Sequence, residues 1–82
     1  MTIKKFDLNE MALKYITLGK ERLIESSEEE SYLKSTTTIQ VTEDYDLYRI
    51  HQIVELISLH EDVSKCSVVR SGGATCLQIV YI

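Results

Sequence analysis

The sequence has no proline, no tryptophan, only three glycines and two cysteines. So few chain breakers predict long regular elements joined by short turns. No apolar run approaches the roughly 18 residues that a membrane-spanning helix needs. The opening stretch, MTIKKFDLNE, has basic residues with no apolar region after them, so it does not read as a secretory signal. Two cysteines without such a signal point to a reducing, cytoplasmic setting.

Other absences bear on chemistry. There is no glycine-rich phosphate loop, no G-x-S-x-G and no H-E-x-x-H. The spacings Cys66-x9-Cys76 and His51-x8-His60 match no short zinc pattern. On one helix, His51 and His60 fall on opposite sides, so at most one could join a site. His60 precedes Glu61 and Asp62, a poor setting for a thiolate–imidazole pair. His51, four residues before Glu55, reads as half of an ordinary surface pair. The expectation is a protein that is not an enzyme, with no metal and no cofactor.

What is present fits one small domain over residues 1–82. At this size the core is modest, and self-association is a common remedy. The net charge of −4 is uneven. Residues 1–20 carry four Lys against two acids, whereas residues 21–46 carry eight acids against Arg22 and Lys34. An acidic centre disfavours nucleic acid, which is bound by clustered Lys and Arg. It suits a basic protein surface. The plainer reading is that these acids only solvate a surface and a linker.

Periodicity gives the elements. Asp7 and Glu10 form a capping-box variant, and Leu8, Met11, Ala12, Tyr15 and Ile16 follow as one helical stripe with Leu23 a heptad on. A helix is expected from 7 to about 25, with Gly19 either ending it or lying inside it. Glu28, Glu29 and Glu30 at a helix C-terminus would oppose the macrodipole, so residues 26–33 read as an acidic linker. LKSTTTIQVT, residues 33–42, alternates with period two and reads as an edge strand with Thr37 and Ile39 on its apolar face. The stretch 43–63 carries the strongest helix signal and is expected to hold a second helix, capped by Asp44 or Asp46. Its stripe of Leu47, Ile50, Ile53, Val54, Leu56 and Ile57 is wider than one sheet face needs. Its second side should therefore be covered by the first helix or by a partner.

The segment CSVVRSGGATC holds both cysteines. Gly72-Gly73 between two β-rich runs signals a two-residue hairpin. That register sets Cys76 opposite Val69 and Cys66 opposite Ile79. The thiols then lie on opposite faces and cannot form a disulfide. The final run, TCLQIVYI, is nearly continuous in apolar residues and should be the central strand.

The expected fold class is α+β: an N-terminal helix followed by β-α-β-β, with the three-stranded sheet in the order first, third, second strand. This is half of a ferredoxin-like outline, used here as a pattern only. The second helix should pack on the face of Cys66, Val68, Leu77, Ile79 and Tyr81. The opposite face, with Val69, Cys76, Val80 and Ile82, is left for the first helix or for a second subunit.

Two functions are compatible with this. The first is a small acidic interaction module, an inhibitor of the kind common among phage and mobile-element proteins, that binds a basic surface of a larger protein. Its candidate contact residues are Glu28, Glu29, Glu30, Tyr32, Asp44, Tyr45, Asp46 and Tyr48, which place tyrosines, enriched at interface hot spots, among acids. The second is a small-molecule-sensing regulatory domain that forms a homodimer through its sheet.

Overall fold

A computed structural model describes residues 7–30 and 35–82, without the side chains of 27–30. The elements run α1 (Leu8–Glu30), β1 (Thr36–Gln40), α2 (Leu47–Ser58), β2 (Val63–Ser71) and β3 (Ala74–Tyr81). The sheet order is β1-β3-β2, and both pairings are antiparallel. β1 and β2 therefore run parallel to each other with β3 between them, which is the expected split arrangement.

Gly72 and Gly73 have φ of 58° and 82°. Both central positions of a type I′ turn need positive φ, where a Cβ would be strained. The turn fixes the register: Ser71 faces Ala74, Val69 faces Cys76 and Cys66 faces Ile79. Both cysteines are free, and both are buried. At the start of β2 a bulge between Val63 and Lys65 shifts the alternation. It lets Val63 and Cys66, three residues apart, both face the core.

The core lies between one sheet face and the two helices. Ala12, Tyr15 and Ile16 of α1 and Ile50, Ile53 and Ile57 of α2 join Ile39, Cys66, Leu77, Ile79 and Tyr81 in one buried cluster. α1 covers β1, α2 covers β2, and the helices pack against each other. The wide stripe on α2 is thus met on its second side by α1. No helix among the described residues covers the opposite sheet face. Cys76 is buried there, outside the core cluster, among its strand neighbours.

Three expectations need correction. α1 continues to Glu30, past the expected end near 25 and into the stretch read as a linker. An unfavourable charge at a helix end costs only about 0.3–1 kcal/mol, too little to stop a helix already nucleated and packed upstream. Of the 33–42 run, residues 33 and 34 lie outside the described residues, and β1 spans Thr36–Gln40 without Ser35, Val41 or Thr42, although Thr37 and Ile39 do face inward and β1 is an edge strand. Leu47 does not join the buried stripe. It sits on the first turn of α2 and is 65% exposed.

The helix starts follow their caps. Asp7 Oδ1 accepts from the N–H groups of Asn9 and Glu10, at 3.0 and 3.3 Å. Asp46 caps α2, with Oδ1 accepting from the Arg49 N–H at 2.8 Å. Such caps satisfy amides that have no partner inside the helix.

Candidate functional site

The sequence-predicted contact residues separate into two groups. Glu28, Glu29 and Glu30 belong to the last turn of α1, and their side chains lie outside the described residues, as does Tyr32 entirely. Asp44, Tyr45, Asp46 and Tyr48 lie together on the loop into α2 and its first turn.

That loop is fixed by a residue the sequence reading passed over. Glu43 reaches across to α1, where it accepts hydrogen bonds from the Lys14 ammonium and, at 2.5 Å, from the Tyr15 hydroxyl. The Thr42 hydroxyl also donates to Glu43, at 3.3 Å. The bond from Lys14, followed by that from Tyr15, lowers the Glu43 carboxyl from its ordinary 4.5 to about 2. Burial, reinforced by the bond to Glu43, raises the Tyr15 phenol. The bond to Glu43 raises Lys14. The Lys14 ammonium also stands 5.7 Å from the centre of the Tyr15 ring, a cation–π contact. No local pattern reveals this cluster, because Glu43 lies 28 residues from Tyr15.

Each side chain on the loop has a different task. Tyr45 packs against the core and its phenol is raised, first by burial and then by the Glu43 charge. The Tyr45 N–H donates to the Glu43 carbonyl at 3.0 Å, which holds the loop in a tight turn. Asp46 caps α2 through one carboxylate oxygen. Asp44 is exposed. Tyr48 is 71% exposed, and Leu47 beside it is also outward. The result is a tip with two large apolar side chains projecting beside two carboxylates, on a backbone pinned to α1 from behind.

An open cleft of about 580 Å³ lies elsewhere, lined by Lys20, Leu23, Ile24, Ser35, Asp62, Tyr81 and Ile82. Its charged groups, Lys20 and Asp62, are paired at 2.5 Å. Residues 42–47 do not line it. His60 is engaged locally, accepting through Nδ1 from the Asp62 N–H at 3.1 Å, and His51 is exposed. Among the described residues, no group of three or more His, Cys, Asp or Glu side chains is placed to hold a metal ion. No helix among them is long and apolar enough to cross a membrane.

Compared with known proteins, the chain matches no family model, no curated protein and no solved structure.

Proposed function

We propose that the protein is a protein-binding module that docks through the tip of α2, with Leu47 and Tyr48 as anchors and Asp44 and Asp46 as steering charges, and that it blocks a basic surface of a larger protein. The observation that carries this reading is the exposure of Leu47 and Tyr48 in the first turn of α2, directly after a loop that Glu43 ties to α1 and Tyr45 ties to the core. A rigid backbone lowers the entropy cost of docking. Aromatic anchors act mainly on the dissociation rate, and surrounding charges mainly on association.

The test is kinetic. A partner isolated by affinity capture should dissociate faster from Tyr48→Ala and Leu47→Ala, and should associate more slowly with Asp44→Asn/Asp46→Asn. Asparagine can still cap α2, so the charge is removed with little loss of fold. Raising salt should mimic the charge change, since exposed charges are screened beyond about 8 Å at physiological strength. Kinetics that ignore all four substitutions and salt would rule the tip out.

A second reading is a regulatory domain that dimerises through its sheet and binds a small molecule between copies. It is favoured by the sheet face of Val69 and Val80, which neither helix covers. Saturable metabolite binding lost in Val80→Glu, with the α2 tip variants unaffected, would select it.

A further inference from the structure

The two edges of the sheet are treated differently by the fold. At the β1 edge, the Arg22 guanidinium reaches over from α1 and donates to the Thr38 carbonyl at 3.0 Å. Thr38 is the middle residue of a five-residue strand, so one side chain blocks that edge. β2 is nine residues long, and among the described residues no strand pairs with it except β3.

Hydrogen-bond parity shows which groups this second edge offers. The Thr75 carbonyl accepts from Val41 N–H, and the Tyr81 N–H donates to the Ser35 carbonyl. Odd-numbered residues of β3 therefore direct their backbone groups towards β1, and even-numbered ones towards β2. By the register, these meet Lys65, Ser67, Val69 and Ser71. The N–H and C=O groups of Cys66, Val68 and Arg70 consequently point outward, away from the sheet. An unpaired row of this kind is a template for another strand.

We propose that β2 pairs antiparallel with β2 of a second copy of this chain, with the two-fold axis at Ser67, giving a continuous six-stranded sheet. Parity requires even residues to meet even residues, so the axis must pass through a residue rather than between two. With the axis at Ser67, Cys66 of each copy faces Val68 of the other. Both side chains lie on the core face, so the apolar layer continues across the interface. Lys65 faces Val69 and Arg70 faces Ser64, so no like charges are opposed.

Charge favours a second copy over an unrelated strand. β2 is preceded by Glu61 and Asp62 and ends near Arg70, which pairs with no carboxylate among the described residues. Antiparallel self-pairing brings the acidic start of each copy alongside the basic end of the other. An axis at Val68 would set Arg70 against buried Cys66, and one at Cys66 would draw the bulge at Val63/Lys65 into the paired stretch, setting Val68 against Ser64. This assembly is independent of what the α2 tip binds.

The experiment begins with the unmodified chain in sedimentation and light scattering, where a dimer is expected. Ser67→Cys should then cross-link to itself on mild oxidation. Its backbone groups point inward, which makes it a non-hydrogen-bonded pair with Cα atoms about 4.5 Å apart, within disulfide range. Peptide mapping distinguishes that bond from Cys66 and Cys76, and Thr38→Cys on the opposite edge should not cross-link. Arg70→Pro removes an outward N–H and no ladder bond, so it should give a folded monomer. If that variant fails to fold, Arg70→Glu supplies the reading: like charges beside Glu61 and Asp62 should weaken the dimer about tenfold. A chain that stays monomeric up to millimolar concentration would overturn the proposal. So would a dimer in which Val80→Cys cross-links and Ser67→Cys does not, because the sheet faces rather than the edges would then be joined.

Discussion

The Tyr81 hydroxyl occupies a notch on α1 that exists because residue 19 is glycine. From there it donates to the Ile16 carbonyl at 2.7 Å. A Cβ on Gly19 would lie 2.8 Å from Thr37 Cγ2 and closer still to the Tyr81 hydroxyl oxygen. The last residue of β3 is thereby locked to the middle of α1. Burial raises the Tyr81 phenol to about 12, so it remains a donor at any ordinary pH.

Gly19→Ala should therefore destabilise the protein, although alanine is the better helix former. The helix gains up to about 1 kcal/mol from the exchange. Overpacking against Tyr81 and Thr37 costs about 1–3 kcal/mol. The expected sign in urea unfolding is a net loss, and Gly19→Ala/Tyr81→Phe should recover part of it because the nearest atom is gone. A variant as stable as the native chain would mean that α1 does not approach the sheet this closely.

Ile57 is fully buried between α2 and the sheet, at 0% exposure. Ile57→Ala should cost roughly 2–5 kcal/mol, from lost transfer energy and the cavity left behind. In a domain of marginal stability, much of the population should then unfold at physiological temperature. Circular dichroism melting checks this, with Leu59→Ala, whose side chain is 81% exposed, as the neutral control.

Acid should weaken the clamp between α1 and the loop. The Glu43 carboxyl is lowered in the folded chain, so its contribution is fully present above the ordinary pKa of 4.5 and is lost as pH falls through that value towards 2. Glu43→Gln should be less stable than the native chain at neutral pH. The difference should shrink across this acid window and vanish near its lower end. Urea midpoints measured against pH give the answer, and a constant difference would show that Glu43 is not held as an anion by Lys14 and Tyr15.

Burial pushes the Cys66 thiol up to about 11. Its alkylation at neutral pH should be slow, proceed through opened molecules and accelerate in destabilising urea. Rapid labelling of Cys66 in folded protein, located by mass spectrometry, would contradict its place in the core.

Local chemistry made some of this visible in the sequence. Gly72-Gly73 marks a two-residue turn, and that loop length sets the pairing of every residue from Lys65 to Val80, including the separation of the thiols. Asp7 and Asp46 announced their helices because capping acts within three residues. Contacts between distant segments left no such trace. Gly19 could either have ended α1 or lain inside it, and only the approach of Tyr81 explains its place there. Glu43 looked like one more solvated acid, and only the position of α1 shows what it binds. Asp46 was read as both cap and contact, and its capping oxygen limits how freely it can turn towards a partner.

The strand order has a consequence for how the chain is made. β3 lies between β1 and β2, yet it follows both in sequence. While a ribosome is still producing residues 1–73, β1 has no strand to pair with, and β2 lacks its only neighbour among the described strands. α1 and α2 can form as they emerge, but their apolar faces must wait for Leu77, Ile79 and Tyr81. Formation of this sheet is therefore gated by β3. Until it leaves the exit tunnel, the nascent chain exposes its future core to chaperones and to other nascent chains.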